Sequence, residues 1–156
     1  MPWNGDFGIA PTSVGFDWRL RGAPGVTAQR ISISDGYALR LRFIGRPVAR
    51  TGLEQPLLLG PGTYVLRWRA RTDGLRSEQG LAWELVCGTG SPLLGQGATV
   101  REAVTWTTLE MTFEIPADGC DGQWLRLVNP APRGVAQALR GELQLTDVEI
   151  RPAAVR

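Results

Sequence analysis

The feature that most constrains the fold is a two-residue alternation of apolar and polar side chains. It is clearest in residues 63–73, TYVLRWRARTD, where Tyr64, Leu66, Trp68 and Ala70 occupy every second position. Successive side chains of a β-strand point to opposite faces of a sheet, so this pattern is typical of a strand with one face in a core and the other towards solvent. Residues 63–73 are therefore predicted to form a half-buried strand.

The same alternation recurs along the chain in short runs bounded by glycine or proline. We predict strands at 26–34, 37–43, 53–59, 63–73, 81–87, 105–115, 123–128 and 142–150. A hairpin is expected at Asp35-Gly36, and stretch 88–104 leaves room for a short edge strand. The one helix-like segment, 135–140, is too short for more than a turn or two. The pattern predicts an all-β protein, an antiparallel β-sandwich in a single domain spanning residues 1–156.

Composition narrows the functional classes. All 17 basic residues are arginine, against 15 carboxylates and no histidine, for a net charge of +2. A nucleic-acid binder usually shows a larger basic excess, so no nucleic-acid partner is expected. The absence of histidine excludes Ser–His and Cys–His catalysis, and nothing places two carboxylates together for glycosidase chemistry. We therefore expect no enzyme activity. No apolar run is long enough to span a membrane, so we expect no membrane insertion either.

The two cysteines, Cys87 in WELVCG and Cys120 in PADGCDGQ, form either a disulfide or a pair of buried free thiols. A zinc site is disfavoured because there is no histidine and no further thiol. The loop-like Asp-Gly-Cys-Asp-Gly setting of Cys120 favours the disulfide, which implies an oxidising, extracytoplasmic compartment, periplasmic or secreted. The first residues do not resemble a signal peptide. Because they look like the start of a strand, we expect a domain taken from a longer protein.

Four motifs, in order along the chain, resemble those of one family. They are Asn4-Gly5-Asp6-Phe7, the run LGPGTYVLRWRAR at 59–71, Trp106 followed by FEIP at 113–116, and ELQLTDVEI at 142–150. Together they resemble the jelly-roll carbohydrate-binding modules with a galactose-binding-like fold. The resemblance implies jelly-roll topology and a non-catalytic glycan-binding module, fused to or associated with a larger secreted or envelope protein. A structural or protein-interaction β-sandwich with no sugar site is the alternative, because a fold does not determine a function.

The resemblance also implies a structural calcium ion. In such modules a glutamate directly after the phenylalanine and a late aspartate help to hold it; here these positions are Gly8 and Asp147. Calcium takes several oxygen ligands, usually including more than one carboxylate, so Gly8 weakens the expectation. Asp6 could replace the missing glutamate only if the backbone turned to present it. Asp147 is thus either a calcium ligand or an ordinary turn carboxylate, and no other cofactor is expected.

Arginines at alternate positions of 63–73 mark a candidate ligand face. If neighbouring strands of one sheet present their polar faces together, Arg67 and Arg69 form one patch with Glu84, Trp124 and Arg126. Guanidinium groups bond carboxylates and sulfates in pairs, so this patch favours an acidic polysaccharide. The alternative is a solvated face with cross-strand ion pairs.

The tryptophans divide between core and site. Trp68 and Trp83 lie in phase with leucines and are predicted to fill the core, and Trp106 is predicted to pack as well. Trp18 lies between Asp17 and Arg19, which predicts a position at the rim of the ligand site.

Overall fold

Antiparallel strands account for most of the residues described by the computed structural model, which are 3–90, 92–134 and 137–153. In chain order they are β1 (Arg19–Leu20), β2 (Val26–Ile33), β3 (Gly36–Pro47), β4 (Arg50–Leu57), β5 (Gly62–Arg76), β6 (Ala82–Cys87), β7 (Leu93–Gln96), β8 (Thr107–Ile115), β9 (Gln123–Val128) and β10 (Ala138–Pro152). The first sheet has the order β1-β4-β9-β6-β7 and the second sheet the order β2-β3-β10-β5-β8. The predicted all-β antiparallel sandwich is confirmed.

The predicted alternation builds the core between the sheets. In β5, Leu66, Trp68 and Ala70 are buried while Arg67 between them is exposed. Trp83 of β6 meets Trp68 edge-on across the sandwich, with ring centroids 5.6 Å apart. Such a pair contributes about 0.5–1.5 kcal/mol beyond the burial of its area. The predicted core positions of Trp68 and Trp83 are confirmed.

Trp18 lies in the core, so its predicted rim position is wrong. Its side chain is 0% exposed and is stacked between Phe7, at 5.4 Å, and Trp83, at 5.7 Å. The Asp17 carboxylate accepts the Trp18 backbone N–H, and the indole Nε1 donates to the Asn4 carbonyl oxygen at 2.9 Å. The charged neighbours of Trp18 thus order the loop around it, while the indole faces inward because packing recovers more free energy than exposure.

Two local predictions are changed by strand pairing. The hairpin between β2 and β3 is present, but its turn is Ser34-Asp35, one residue earlier than predicted, because Ile33 pairs with Gly36. Residues 138–140 of the helix-like segment begin β10, so the helical prediction is wrong there, and residues 135–136 lie outside the described residues. Pairing with β3 supplies hydrogen bonds that so short a helix could not supply. Within the described ranges no helix is long and apolar enough to cross a bilayer.

Two further strands frame the first sheet. Stretch 88–104 does contain an edge strand, β7, as the sequence left room for. The two-residue β1 was not predicted, and Trp3–Asp6 form turns where a strand was expected. β1 positions residues 21–23 directly against β4.

The predicted disulfide is confirmed. Cys87 at the end of β6 is bonded to Cys120 in the loop before β9, with Cα atoms 5.1 Å apart. β6 and β9 both belong to the first sheet and pair with each other. The cross-link therefore ties the β8–β9 loop to that sheet.

Candidate functional site

The predicted five-residue patch is divided between the two sheets. Arg67 and Arg69 are on β5 in the second sheet, whereas Glu84, Trp124 and Arg126 are on β6 and β9 in the first sheet. The prediction of a single patch is therefore wrong. Its physical reason is that the chain crosses from one sheet to the other between β5 and β6, so strands adjacent in sequence are not adjacent in space.

On the second sheet the arginines have carboxylate partners. Arg67 lies 3.6 Å from Glu110, and Arg69 donates to Asp147 at 2.7 Å and to Asp35 at 3.1 Å. Solvent screens such pairs, so each contributes only a few tenths of a kcal/mol to about 1 kcal/mol. This face has the features of the alternative interpretation, a solvated sheet with cross-strand ion pairs.

On the first sheet one row of polar residues crosses all five strands. From β1 to β7 the row consists of Arg19, Glu54, Arg126, Glu84 and Gln96, and each residue is the register partner of the next. The row lies on the outer face because the neighbouring residues in β9 and β6 are buried leucine and tryptophan. The first sheet thus brings together three of the predicted site residues, counting Trp124 next to this row.

Glu54 in this polar row is mostly buried and pairs with two arginines. Its side chain is 11% exposed and binds two guanidinium groups, that of Arg126 at 3.2 Å and that of Arg21. The Arg21 guanidinium also lies 5.6 Å from the centre of the half-buried Trp124 ring, in cation–π geometry. The indole is therefore held in place by an arginine that is itself held by Glu54.

An open pocket of about 440 Å³ lies beside Trp124. Its charged and aromatic lining consists of Arg21, Arg50, Arg126, the Glu54 carboxylate and the Trp124 indole; the remaining lining residues are small or aliphatic. This volume lies within the range of small-ligand sites, and the combination of one aromatic face with a few charged groups is typical of them.

A glycine explains why Arg21 reaches this position. Gly52 of β4 has φ of +88°, and a Cβ atom there would lie 3.2 Å from the Gly22 backbone nitrogen. The Arg21 N–H donates to the Gly52 carbonyl oxygen at 2.9 Å. Because glycine permits both the left-handed backbone and the close contact, the segment after β1 lies against β4 and carries Arg21 towards Trp124.

Sequence reasoning identified Trp124 and Arg126 but missed Arg21, Arg50 and Glu54 as parts of this pocket. Glu54 did carry a signal, since it is the one charged residue in the apolar run 53–59 and a buried carboxylate needs a partner. The two arginines carried none, because their position depends on the short β1 and on the pairing of β4 with β9.

The geometry around Asp147 does not fit the calcium site implied by the family. The Arg69 guanidinium donates to this carboxylate and bridges it to Asp35. Within the described ranges no group of three or more histidine, cysteine or acidic side chains is placed to hold a metal ion. Asp147 has φ of +53°, a turn conformation that aspartate tolerates better than most residues.

The N-terminal side of the implied calcium site carries an arginine contact instead. Arg30 donates to the carbonyl oxygens of Phe7, at 2.7 Å, and Gly8, at 2.8 Å, and its guanidinium lies 3.7 Å from the centre of the Tyr37 ring. Asp6 accepts the Gly8 N–H at 2.9 Å and so closes a local turn. A guanidinium ion thus binds backbone oxygens of the segment that the family would use for a metal.

No family model matches the chain, and no curated protein matches it either. Solved structures do. A family 4 carbohydrate-binding module aligns over 98% of this chain and 100% of its own, with a TM-score of 0.70 and 15% identity. The CBM22-1 xylan-binding domain of Paenibacillus barcinonensis Xyn10C aligns over 97% and 94%, with a TM-score of 0.62 and 15% identity.

A third similar structure is part of an enzyme. The CBM22-1–GH10 modules of Clostridium thermocellum xylanase 10B, complexed with xylohexaose, align with 88% of this chain over 26% of their own length, with a TM-score of 0.55 and 10% identity. At these identities the likeness concerns the fold. The chain has the jelly-roll β-sandwich fold of carbohydrate-binding modules.

Proposed function

We propose that residues 1–156 form a non-catalytic glycan-binding module whose site is the outer face of the first sheet. The observation that carries this proposal is the Trp124 indole, held by Arg21 beside an open pocket with charged groups. An indole offers a flat apolar surface for the apolar face of a sugar ring, and the neighbouring polar groups bind its hydroxyls. The similarity to a xylan-binding domain supports the same class of ligand.

The carboxylates of this face support binding without catalysis. Glycoside hydrolysis needs two carboxyl groups that are free to exchange protons or attack the sugar. Among the described residues Glu54 is the one acid lining the pocket, and both of its oxygens bind arginine. Glu84 is separated from it by Arg126.

We also propose that the module works as part of a larger secreted or periplasmic protein. The Cys87–Cys120 disulfide supports an oxidising compartment. The xylanase with which the chain aligns over 26% of the enzyme's length supports attachment to a catalytic partner.

Affinity electrophoresis on a panel of polysaccharides, followed by calorimetry on any that retain the protein, tests the glycan site. We expect Trp124→Ala to weaken retention at least tenfold, about 1.4 kcal/mol, because the indole supplies the stacking surface. Trp106 is the matched control. The sequence predicted that it packs; it is half-buried, and Arg69 of the second sheet lies 5.2 Å from its ring centre.

Trp106→Ala should leave binding within twofold of the wild type. If the folded protein is retained by no polysaccharide, or if both tryptophan variants weaken retention equally, the proposed site is wrong. The first outcome would favour a structural or protein-interaction sandwich.

A further inference from the structure

We infer that the pocket beside Trp124 selects acidic glycans, and that Arg50 and Arg21 bind the carboxylate or sulfate group of the sugar. This inference rests on the proposed function and names the ligand class of the same site. It begins from charge, since the described residues that line the pocket include three arginines and a single carboxylate. An anionic sugar unit would balance that excess.

Among these arginines, Arg50 is the one whose side chain has the fewest hydrogen bonds and ion pairs. It is exposed at the first position of β4, opposite Val128 of β9, and its side chain forms no hydrogen bond or ion pair with any residue in the described part of the chain. Its guanidinium therefore keeps all of its donors for a ligand or for water. A charged group that no structural contact explains, in the wall of a pocket, is a candidate for ligand recognition.

The remaining donors point to the same chemistry. Arg21 and Arg126 each bind Glu54 through Nε, and the terminal nitrogens of both form no hydrogen bond within the described residues. Each Glu54 oxygen already accepts one arginine N–H. Among the charged side chains, the pocket thus offers more free N–H donors than free acceptor positions. Sugar hydroxyls both donate and accept, whereas an ionised carboxylate or a sulfate only accepts, so the set matches an anion better than a neutral sugar.

The second sheet provides an internal comparison. A pocket of about 220 Å³ there is lined by Arg67 and Arg69 together with Asp147 and Glu149, two cations against two anions. Its arginines are paired across the strands and leave no net charge for an acidic ligand. The acidic preference that the sequence predicted from β5 therefore belongs, in this proposal, to arginines of the opposite sheet.

Polymers that differ only in charge give the sharpest test. Binding is measured by affinity electrophoresis and calorimetry on polygalacturonate against its methyl ester, on glucuronoxylan against its carboxyl-reduced form, and on dextran sulfate against dextran. We expect at least one acidic polymer to bind tenfold or more tightly than its neutral counterpart, with affinity that falls as salt increases. The first two pairs report a uronate ligand and the third a sulfate.

Arg50→Ala should reduce the affinity for the acidic polymer about tenfold, reduce that for its neutral counterpart by a much smaller factor, and keep the melting temperature unchanged. Arg46→Ala is the matched control, because Arg46 is exposed on β3 and likewise has no ion pair within the described residues. Equal losses in both variants would show general charge attraction and overturn the inference.

Equal or tighter binding of the neutral polymers would also overturn the inference, while leaving the glycan-binding proposal intact. Failure to bind any polymer, neutral or acidic, would instead refute the proposed function itself.

Discussion

Glu54 shows how one residue links the stability of the sandwich to its candidate site. Its side chain is mostly buried, yet it is tolerated there because Arg21 and Arg126 each donate to one of its oxygens. The Arg126 side chain is 16% exposed, so water could replace its hydrogen bond to this carboxylate less well than it could for a surface arginine. Removing the carboxylate leaves a mostly buried guanidinium group without a partner.

Glu54→Ala is therefore expected to lower the free energy of unfolding by about 1–3 kcal/mol, because a buried charged group loses its hydrogen bonds. Glu110→Ala is the comparison: Glu110 pairs with Arg67 on the exposed second sheet and should cost only a few tenths of a kcal/mol. Urea denaturation of both variants measures the difference. Similar losses would show that burial does not strengthen the Glu54 contacts.

At the scale of elements, the segment before β1 is attached to the rest of the sandwich by protein groups. The Val148 N–H donates to the Gly5 carbonyl oxygen at 3.0 Å. Arg30 adds its two hydrogen bonds to Phe7 and Gly8. These contacts hold the segment in the region where the family would place calcium.

We accordingly expect the melting temperature to be the same in EDTA and in millimolar calcium. Arg30→Ala should lower stability by about 1–2 kcal/mol, or about 3–6 °C for a domain of this size, because charge-assisted hydrogen bonds to the backbone are lost. Arg40→Ala is the control, since the Arg40 side chain on neighbouring β3 bonds, within the described ranges, only the Gln29 side chain. A melting temperature that falls in EDTA and recovers with calcium would contradict this account.

At the scale of the whole molecule, the disulfide closes a loop with a sequence separation of 33 residues. That loop contains β7 and β8, which belong to different sheets. The cross-link therefore restricts the unfolded-state conformations of segments that belong to both sheets. In the chain-entropy description a loop of this size contributes about 3–4 kcal/mol.

Reduction, or the double substitution of Cys87→Ala with Cys120→Ala, should lower the free energy of unfolding by about that amount. Chemical denaturation with and without reductant measures it. Thiol titration of the denatured, unreduced protein should find no free thiol; two titratable thiols would show that the disulfide does not form in solution.

The sequence by itself determined most of the strands and, within them, which side chains face the core. Alternation identified β5 and β6 and the inward positions of Trp68 and Trp83, because side-chain direction along a strand is a local property with a period of two. The cysteine pairing was favoured by the turn-like neighbours of Cys120. Each of these inferences needed only residues close together in the chain.

The tertiary structure decided the position of Trp18 and the composition of the site. Trp18 is inside because Phe7 and Trp83, which are distant in sequence, stack on it. The candidate site joins Arg21, Arg50 and Trp124 because β4 pairs with β9, while Arg67 lies on the other sheet because the chain crosses over after β5. Strand order depends on long-range pairing and loop closure, which no local pattern encodes, and so the face on which each arginine lies follows from the fold as a whole.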